Sequence, residues 1–335
     1  MPIRGMKWAG LPLALALFFL SGFGPVWVPA VAVAQTVAPA ALVGPMRIVN
    51  TPQGLLVGDY VGYKVALVNP LTLAVKEIIP VTAKPLSVAW MNGLVYVGDE
   101  KTGIIQVFQQ EKSGQKNTDN KGNPKKVAGW FQVSADLTGF AIGGPADMVA
   151  DEDLGLLFVA SKTDKTVYVL DENGAVLHTI GGPASASPVG RPQGLALDRA
   201  GRRVFVSDDG ILSCTWLGCG TSSAVIVFDY EGNFLGEISG SSGQAGYKFS
   251  RAQGVTLDGG GRVYLVDSYR SQVLVFDEIS PNSWTSIGTF GMKGSGAKEL
   301  LLPMDVVVDD VTSTVYVTNN MKGRIEAFTA EEMLQ

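Results

Sequence analysis

The chain has 335 residues, 46% of them hydrophobic and 17% charged, with 26 Lys and Arg against 31 Asp and Glu for a net charge of −5. That is ample for a sizeable core. One histidine, two cysteines and no C-x-x-C-H stretch exclude a His-rich zinc site and a covalent c-type haem, and leave no Ser-His-Asp or Cys-His set.

In chain order, the first segment reads as an export signal rather than a folded element. Arg4 and Lys7 precede an apolar run from Leu11 to Leu20, and the small triplet Ala32-Val33-Ala34 places cleavage after Ala34. Gly22, Gly24, Pro25 and Pro29 interrupt the run too early for a spanning helix, and no cysteine sits at the cleavage point to take a lipid. Loss of Arg4 and Lys7 leaves 24 basic against 31 acidic residues, a charge of −7. The expectation is a protein outside the cytoplasm, periplasmic or extracellular, with no transmembrane segment after cleavage. Such an acidic product is a poor candidate for nucleic-acid binding.

Six copies of one pattern follow. Each has a β-branched or alternating apolar run, a turn, a second such run ending in a polar residue, and a third run beginning six positions later. The spacing is Asp59 to Val65, Asp99 to Ile105, Ser161 to Val167, Asp267 to Val273 and Asn319 to Ile325. In the fourth copy, Asp208 to Val225, the same turn holds about eleven extra residues. Five copies enter through related stretches, "KPLSVAW", "GPADMVAD", "RPQGLALD", "RAQGVTLD" and "LPMDVVVD", and the first has "GPMRIVN" in that place. Fourth strands follow in several copies, as in "GAVLHTIGG", "GNFLGEISG" and "WTSIGTFG". A single meander leaves an apolar face uncovered, and the next copy covers it. The repeat therefore predicts an all-β chain, a six-bladed β-propeller of four-stranded antiparallel blades at roughly 46–82, 83–143, 144–183, 190–240, 250–291 and 301–330. A regular internal repeat argues against a β-sandwich. The last copy stops after its third strand, so the spare segment Thr36–Gly44 is expected to supply the fourth and close the ring.

The stretch Gly254–Asp277, "GVTLDGGGRVYLVDSYRSQVLVFD", resembles the NHL repeat, and "MDVVVDDVTSTVYVTNNMKGRIEAF" resembles it as well. The copies beginning near Leu86 and Asp147 are looser and the first is the weakest. The resemblance implies the propeller fold and, from the family's behaviour, a protein-binding scaffold.

Candidate chemistry is sparse. Asp59, Asp99, Asp208 and Asp267 recur once per blade, so they belong to separate turns, where short carboxylates accept backbone N–H groups. Two residues after each entry position come Arg47, Ser87, Asp147, Gly194, Gly254 and Asp305, which should line the channel. Asp147 and Asp305 belong to opposite blades and are the candidate metal ligands, for Ca²⁺. Alternatively, Arg47 neutralises one of them and the channel holds only water and ion pairs. No other cofactor is expected. His178 falls in an outer strand, and its being alone counts against resemblance to the amidating lyases. Cys214 and Cys219 share the inserted turn of the fourth copy, and in an exported protein they read as a disulfide, with free thiols or a redox pair as the alternative. Trp216 between them either anchors a partner or folds back on its blade. Lys112, Lys116, Lys121, Lys125 and Lys126 make the longest polar insertion basic, either a solvated hairpin tip or a contact for an acidic partner or envelope surface.

The function read from these residues is a non-catalytic scaffold that engages another exported or envelope protein. Two alternatives accompany it. One is a Ca²⁺-dependent lactonase or esterase resembling the gluconolactonase and regucalcin type of propeller, with Asp147 and Asp305 as ligands. The other is an envelope polysaccharide-binding module, which requires Trp90, Trp130 and Trp216 on one face.

Overall fold

The computed structural model describes residues 41–82, 84–110, 129–215, 218–239 and 249–333, except the side chains of 211–221, 330 and 331. Residues 1–34, the basic insertion from Lys112 to Lys126 and Trp216 lie outside the described residues.

Six antiparallel sheets form the blades, and in each the strands follow one another from the channel outwards. Blade 1 holds Pro45–Thr51, Gly54–Asp59, Lys64–Val68 and Val75–Ile79, and blade 2 holds Pro85–Met91, Leu94–Asp99, Ile105–Gln110 and Trp130–Ser134. Blade 3 holds Pro145–Asp151, Leu156–Ser161, Thr166–Asp171 and Val176–Ile180. Blade 4 holds Pro192–Asp198, the long Arg203–Thr215 and Gly218–Asp229, and Phe234–Ser239. Blade 5 holds Ala252–Leu257, Val263–Asp267, Gln272–Ser280 and Ser283–Phe290. Blade 6 holds Pro303–Asp309, Thr314–Asn319 and Arg324–Thr329, then the short helix Ala330–Met333. The first strand of each blade packs beside the first strand of the next, and that of blade 6 beside that of blade 1, so the ring is closed.

The strand patterns follow from this stacking. A middle strand is covered on both faces by neighbouring blades, so Leu55, Leu56 and Val57 are all apolar and all buried. A fourth strand lies at the edge, so Val75–Ile79 alternates, with Val75 and Ile79 inward and Lys76 and Ile78 exposed. Each of the six blade interfaces has its own apolar cluster. Leu56, Val88 and Phe108 lie between blades 1 and 2, and Ile48, Tyr316 and Ile325 lie between blades 1 and 6. A fully buried side chain of this size contributes about 1.5–3 kcal/mol, so each interface is a core in its own right.

Among the described residues blade 6 has three strands. Of the segment expected to complete it, residues 36–40 lie outside the described residues and 41–44 are not strand. Leu42 packs against the cluster holding Tyr316 and Ile325, and a Cβ at Gly323 would press on the Leu42 and Val43 carbonyls. The chain thus passes the start of blade 6's third strand before it enters blade 1. No helix among the described residues is long and apolar enough to cross a membrane.

Candidate functional site

The turn acids tie each blade together. Asp59 accepts N–H bonds from Val43, Gly44 and Gly62 at 2.8–2.9 Å, and Asp267 accepts from Ser250, Arg251 and Arg270 at 2.7–3.3 Å. Asp99 and Asp208 do the same for Lys84 and Lys101, and for Gly190, Arg191 and Gly210. In blade 3 the pattern residue is Ser161. Nearby Asp164 takes over the acceptor role, receiving the Gly143 N–H at 2.8 Å. Each of these groups fastens the loop that enters a blade to the turn between its second and third strands.

Two strand residues inward lies the channel centre. Arg47 from blade 1 reaches across it. Its Nε donates to the Ala146 carbonyl at 2.8 Å and its Nη2 donates to the Gln193 carbonyl. The same guanidinium lies 3.6 Å from Asp147 Oδ1 and 3.8 Å from Asp305 Oδ1, and all three side chains are buried. The second oxygen of each carboxylate accepts a backbone N–H from the following blade: Asp305 from Ile48 at 3.0 Å, Asp147 from Leu195 at 2.8 Å. Gly194 and Gly254 are part of the design. A Cβ at Gly254 would overlap the Asp305 carboxylate, and one at Gly194 would meet the Gln253 carbonyl. Burial pushes the Asp305 carboxyl up to about 7, against the pull of Arg47 and with a further push from Asp147. Burial raises Asp147 as well, opposed by Arg47 and by the Leu195 and Met148 N–H groups. On the side away from the blade entries the channel widens into a cavity of 240 Å³, reached past Asn50, Arg199 and Asp310.

The expected pair of Asp147 and Asp305 therefore does meet, but with a guanidinium between them. Ca²⁺ takes about six to eight oxygen ligands. The six ring positions offer two carboxylates and the Ser87 hydroxyl. One carboxylate oxygen on each side already holds a backbone N–H and the other faces Arg47. The donor set does not fit Ca²⁺. It fits the other reading, an internal ion pair.

The rim where the blades begin carries what the sequence reading did not single out. Two positions recur around it, the residue before each entry position and the residue after each turn acid. They are Gly44, Lys84, Gly144, Arg191, Arg251 and Leu302, and Tyr60, Glu100, Lys162, Asp209, Ser268 and Asn320. Their charges are four positive and two negative, in a chain of net −5. Glu100 lies 3.4 Å from Lys84 and 3.3 Å from Lys162, with the Tyr60 hydroxyl also donating to it. Burial works to raise the Glu100 carboxyl, but Tyr60 and Lys162 outweigh it and hold it below the usual range. Asp209 lies 3.5 Å from Arg191 and 3.1 Å from Arg251, and accepts from Gln193 Nε2 at 3.0 Å. Each carboxylate serves two cations. The signal was present in the aligned entries, since "KP", "RP" and "RA" each put a cation before the entry position.

The remaining candidates are dispersed. Trp130 is buried with its Nε1 on Glu77 at 2.8 Å, and Trp90 packs against the same cluster between blades 1 and 2. These two are core, not a binding face. His178 sits in the outer strand of blade 3, its Nε2 2.6 Å from the Tyr230 carbonyl of blade 4. Backbone register sets Cys214 directly opposite Cys219 in the extended hairpin of blade 4.

A family model for the NHL repeat matches residues 249–276, the stretch that forms the first three strands of blade 5. The chain is a six-bladed β-propeller with one NHL repeat matched in blade 5. Solved propellers share the architecture at low identity. Hydrazine synthase of Kuenenia stuttgartiensis is 12% identical with a TM-score of 0.54, over 90% of this chain and 99% of that one. A gluconolactonase from Xanthomonas campestris is 14% identical with a TM-score of 0.53, over 86% of each chain. Likenesses this remote carry the β-propeller fold and nothing of its chemistry. No curated protein matches the sequence significantly.

Proposed function

We propose that this propeller is a non-catalytic scaffold, exported from the cytoplasm, that binds another exported or envelope protein on the face where its blades begin. The observation that carries the reading is the rim, where paired cations share single carboxylates and a net positive ring tops an acidic chain. Tyr63, Tyr269 and Met321 are exposed on turns of that same face. Arg, Met and aromatic side chains are the residues in which protein interfaces are enriched. The Cys214–Cys219 hairpin extends from the same end of blade 4, and a disulfide there would stiffen it. The two strands that flank the Lys112–Lys126 stretch meet it at the opposite end of blade 2, so the rim is argued without those lysines.

The test is a crosslinked pull-down of tagged mature protein from its native envelope, alongside a variant carrying Arg191→Glu and Arg251→Glu. One or two specific partners, lost in the variant, are the expected outcome. A wild type recovered alone overturns the reading. The Ca²⁺-dependent hydrolase is the second reading, prompted by the gluconolactonase likeness and opposed by the donor set at Asp147 and Asp305. It requires Ca²⁺ to raise the melting temperature, and replacement of both aspartates to abolish that shift.

A further inference from the structure

Blades 4 and 5 carry the same arginine at the start of their second strands, and the two are finished differently. Arg203 Nε pairs with Asp198 at 2.9 Å and Arg262 Nε with Asp258 at 2.7 Å, each across the turn from the first strand. Arg203 goes on to make a two-pronged pair with Glu278 of blade 5, at 2.8 Å from both Nη atoms, and a bond to Asn282 at 3.2 Å. Next to it Trp284 of blade 5 packs edge-on against Phe205, with centroids 5.6 Å apart. A carboxylate and an aromatic ring from the following blade thus close the crevice between blades 4 and 5.

Between blades 5 and 6 nothing equivalent does so among the described residues. Blade 5's third strand runs to Ser280 and turns back, carrying Glu278, Asn282 and Trp284 over the crevice. Blade 6's third strand ends at Thr329 and becomes the helix Ala330–Met333, of which Met333 reaches the crevice. What remains is a cavity of 120 Å³ walled by Val275, Ile287, Val308, Val315 and Met333, with Tyr264 and Arg262 at its polar end. Arg203's side chain is 18% exposed, whereas Arg262's is 49% exposed and has Asp258 as its sole ion-pair partner among the described residues.

We propose that this crevice binds a small aromatic carboxylate. The neighbouring crevice is the template, with the ring placed as Trp284 is against Phe205 and the carboxylate as Glu278 is against Arg203. An enclosed apolar cavity of about 150 Å³ holds a benzene ring; this one, at 120 Å³ and open on the Ile287 side, takes the greater part of a single ring and leaves its outer edge in water. Two carboxylates also face the cavity, and both have donors. Asp258 accepts from the Tyr264 hydroxyl at 3.1 Å as well as from Arg262, and Asp310 accepts the Gly259 N–H at 2.7 Å. Arg203 already lies between two carboxylates, Asp198 and Glu278, so a second anion on Arg262 repeats an arrangement the molecule uses. The site is separate from the rim and does not depend on the scaffold reading.

The test is calorimetric titration of the full chain with benzoate, benzamide and benzylamine. Benzoate should bind at least about tenfold more tightly than the other two, because the paired contact to arginine needs a planar anion. Arg262→Lys should weaken benzoate about tenfold, keeping charge but losing the fork. Ile287→Trp, which fills the cavity from its exposed side, should abolish binding. Melting curves check that both variants fold, and Arg203→Lys is the control that leaves benzoate binding intact. No heat from benzoate at millimolar concentration overturns the proposal, as do a preference for benzylamine and an Arg262→Lys variant that binds unchanged.

Discussion

The channel centre and the channel rim invert one another. At the centre one guanidinium, Arg47, serves two carboxylates, and all three groups are buried. At the rim one carboxylate serves two cations, twice, and Arg191 is half exposed. Burial makes the difference consequential. An unbalanced charge in the interior must be met by the protein itself, by backbone N–H groups and a raised carboxyl. The same imbalance in contact with water is cheap.

The largest effect should come from removing the single central cation. Arg47→Met leaves Asp147 and Asp305 buried together and the Ala146 and Gln193 carbonyls without their donor. Breaking a buried pair in this way costs about 3–5 kcal/mol. Urea midpoints will show it, and adding Asp305→Asn should recover part of the loss. A cost of no more than about 1 kcal/mol, the range of exposed pairs, would mean the centre is as wet as the rim.

The pH dependence sharpens the same contrast. Asp305 titrates at about 7 in the fold against its ordinary 3.8, so between these values the folded chain holds a proton that the unfolded chain has lost. Stability from this group is therefore full below 3.8, falls as pH rises, and reaches its minimum above about 7. Asp305→Asn should flatten that slope in denaturation midpoints measured across the interval. Rim variants should leave it unchanged.

Smaller again is the turn acid. Asp59→Ala leaves the Val43, Gly44 and Gly62 N–H groups without their acceptor. The expected loss is about 1–3 kcal/mol, read from the same urea curves. Smallest in stability is the rim. Arg191→Ser with Arg251→Ser should cost no more than about 1 kcal/mol, while partner capture falls. If stability drops as far as in the Arg47 variant, the rim is structural and the contrast with the centre is lost.

Much of this was legible in the residues. The six-position interval from Asp59 to Val65 and its four counterparts specified the blades, because a turn of recurring length is the local mark of a repeated meander. The same alignment brought Arg47, Asp147 and Asp305 to one ring and left open whether they hold an ion or one another. Spacing cannot resolve that, since it carries no information on how far a long side chain reaches. Trp90 and Trp130 resembled a binding surface in composition and proved to be core, because strand alternation alone does not say which face a neighbouring blade covers. The exposed cations at Lys84, Arg191 and Arg251 sat in view beside the entry positions. They gained meaning only when their partners Glu100 and Asp209 came from different strands.

By itself the sequence determined the fold, through local signals: strand period, turn length and the number of copies. The tertiary structure alone decided how the charges pair and where the surface stays open. Arg47 meets Asp147 and Asp305 across the axis, and Arg203 finds in blade 5 a carboxylate that Arg262 does not find among the described residues of blade 6. Those pairings join residues as many as 258 positions apart along the chain. They exist because closing the ring brings distant strands together, which no local pattern encodes.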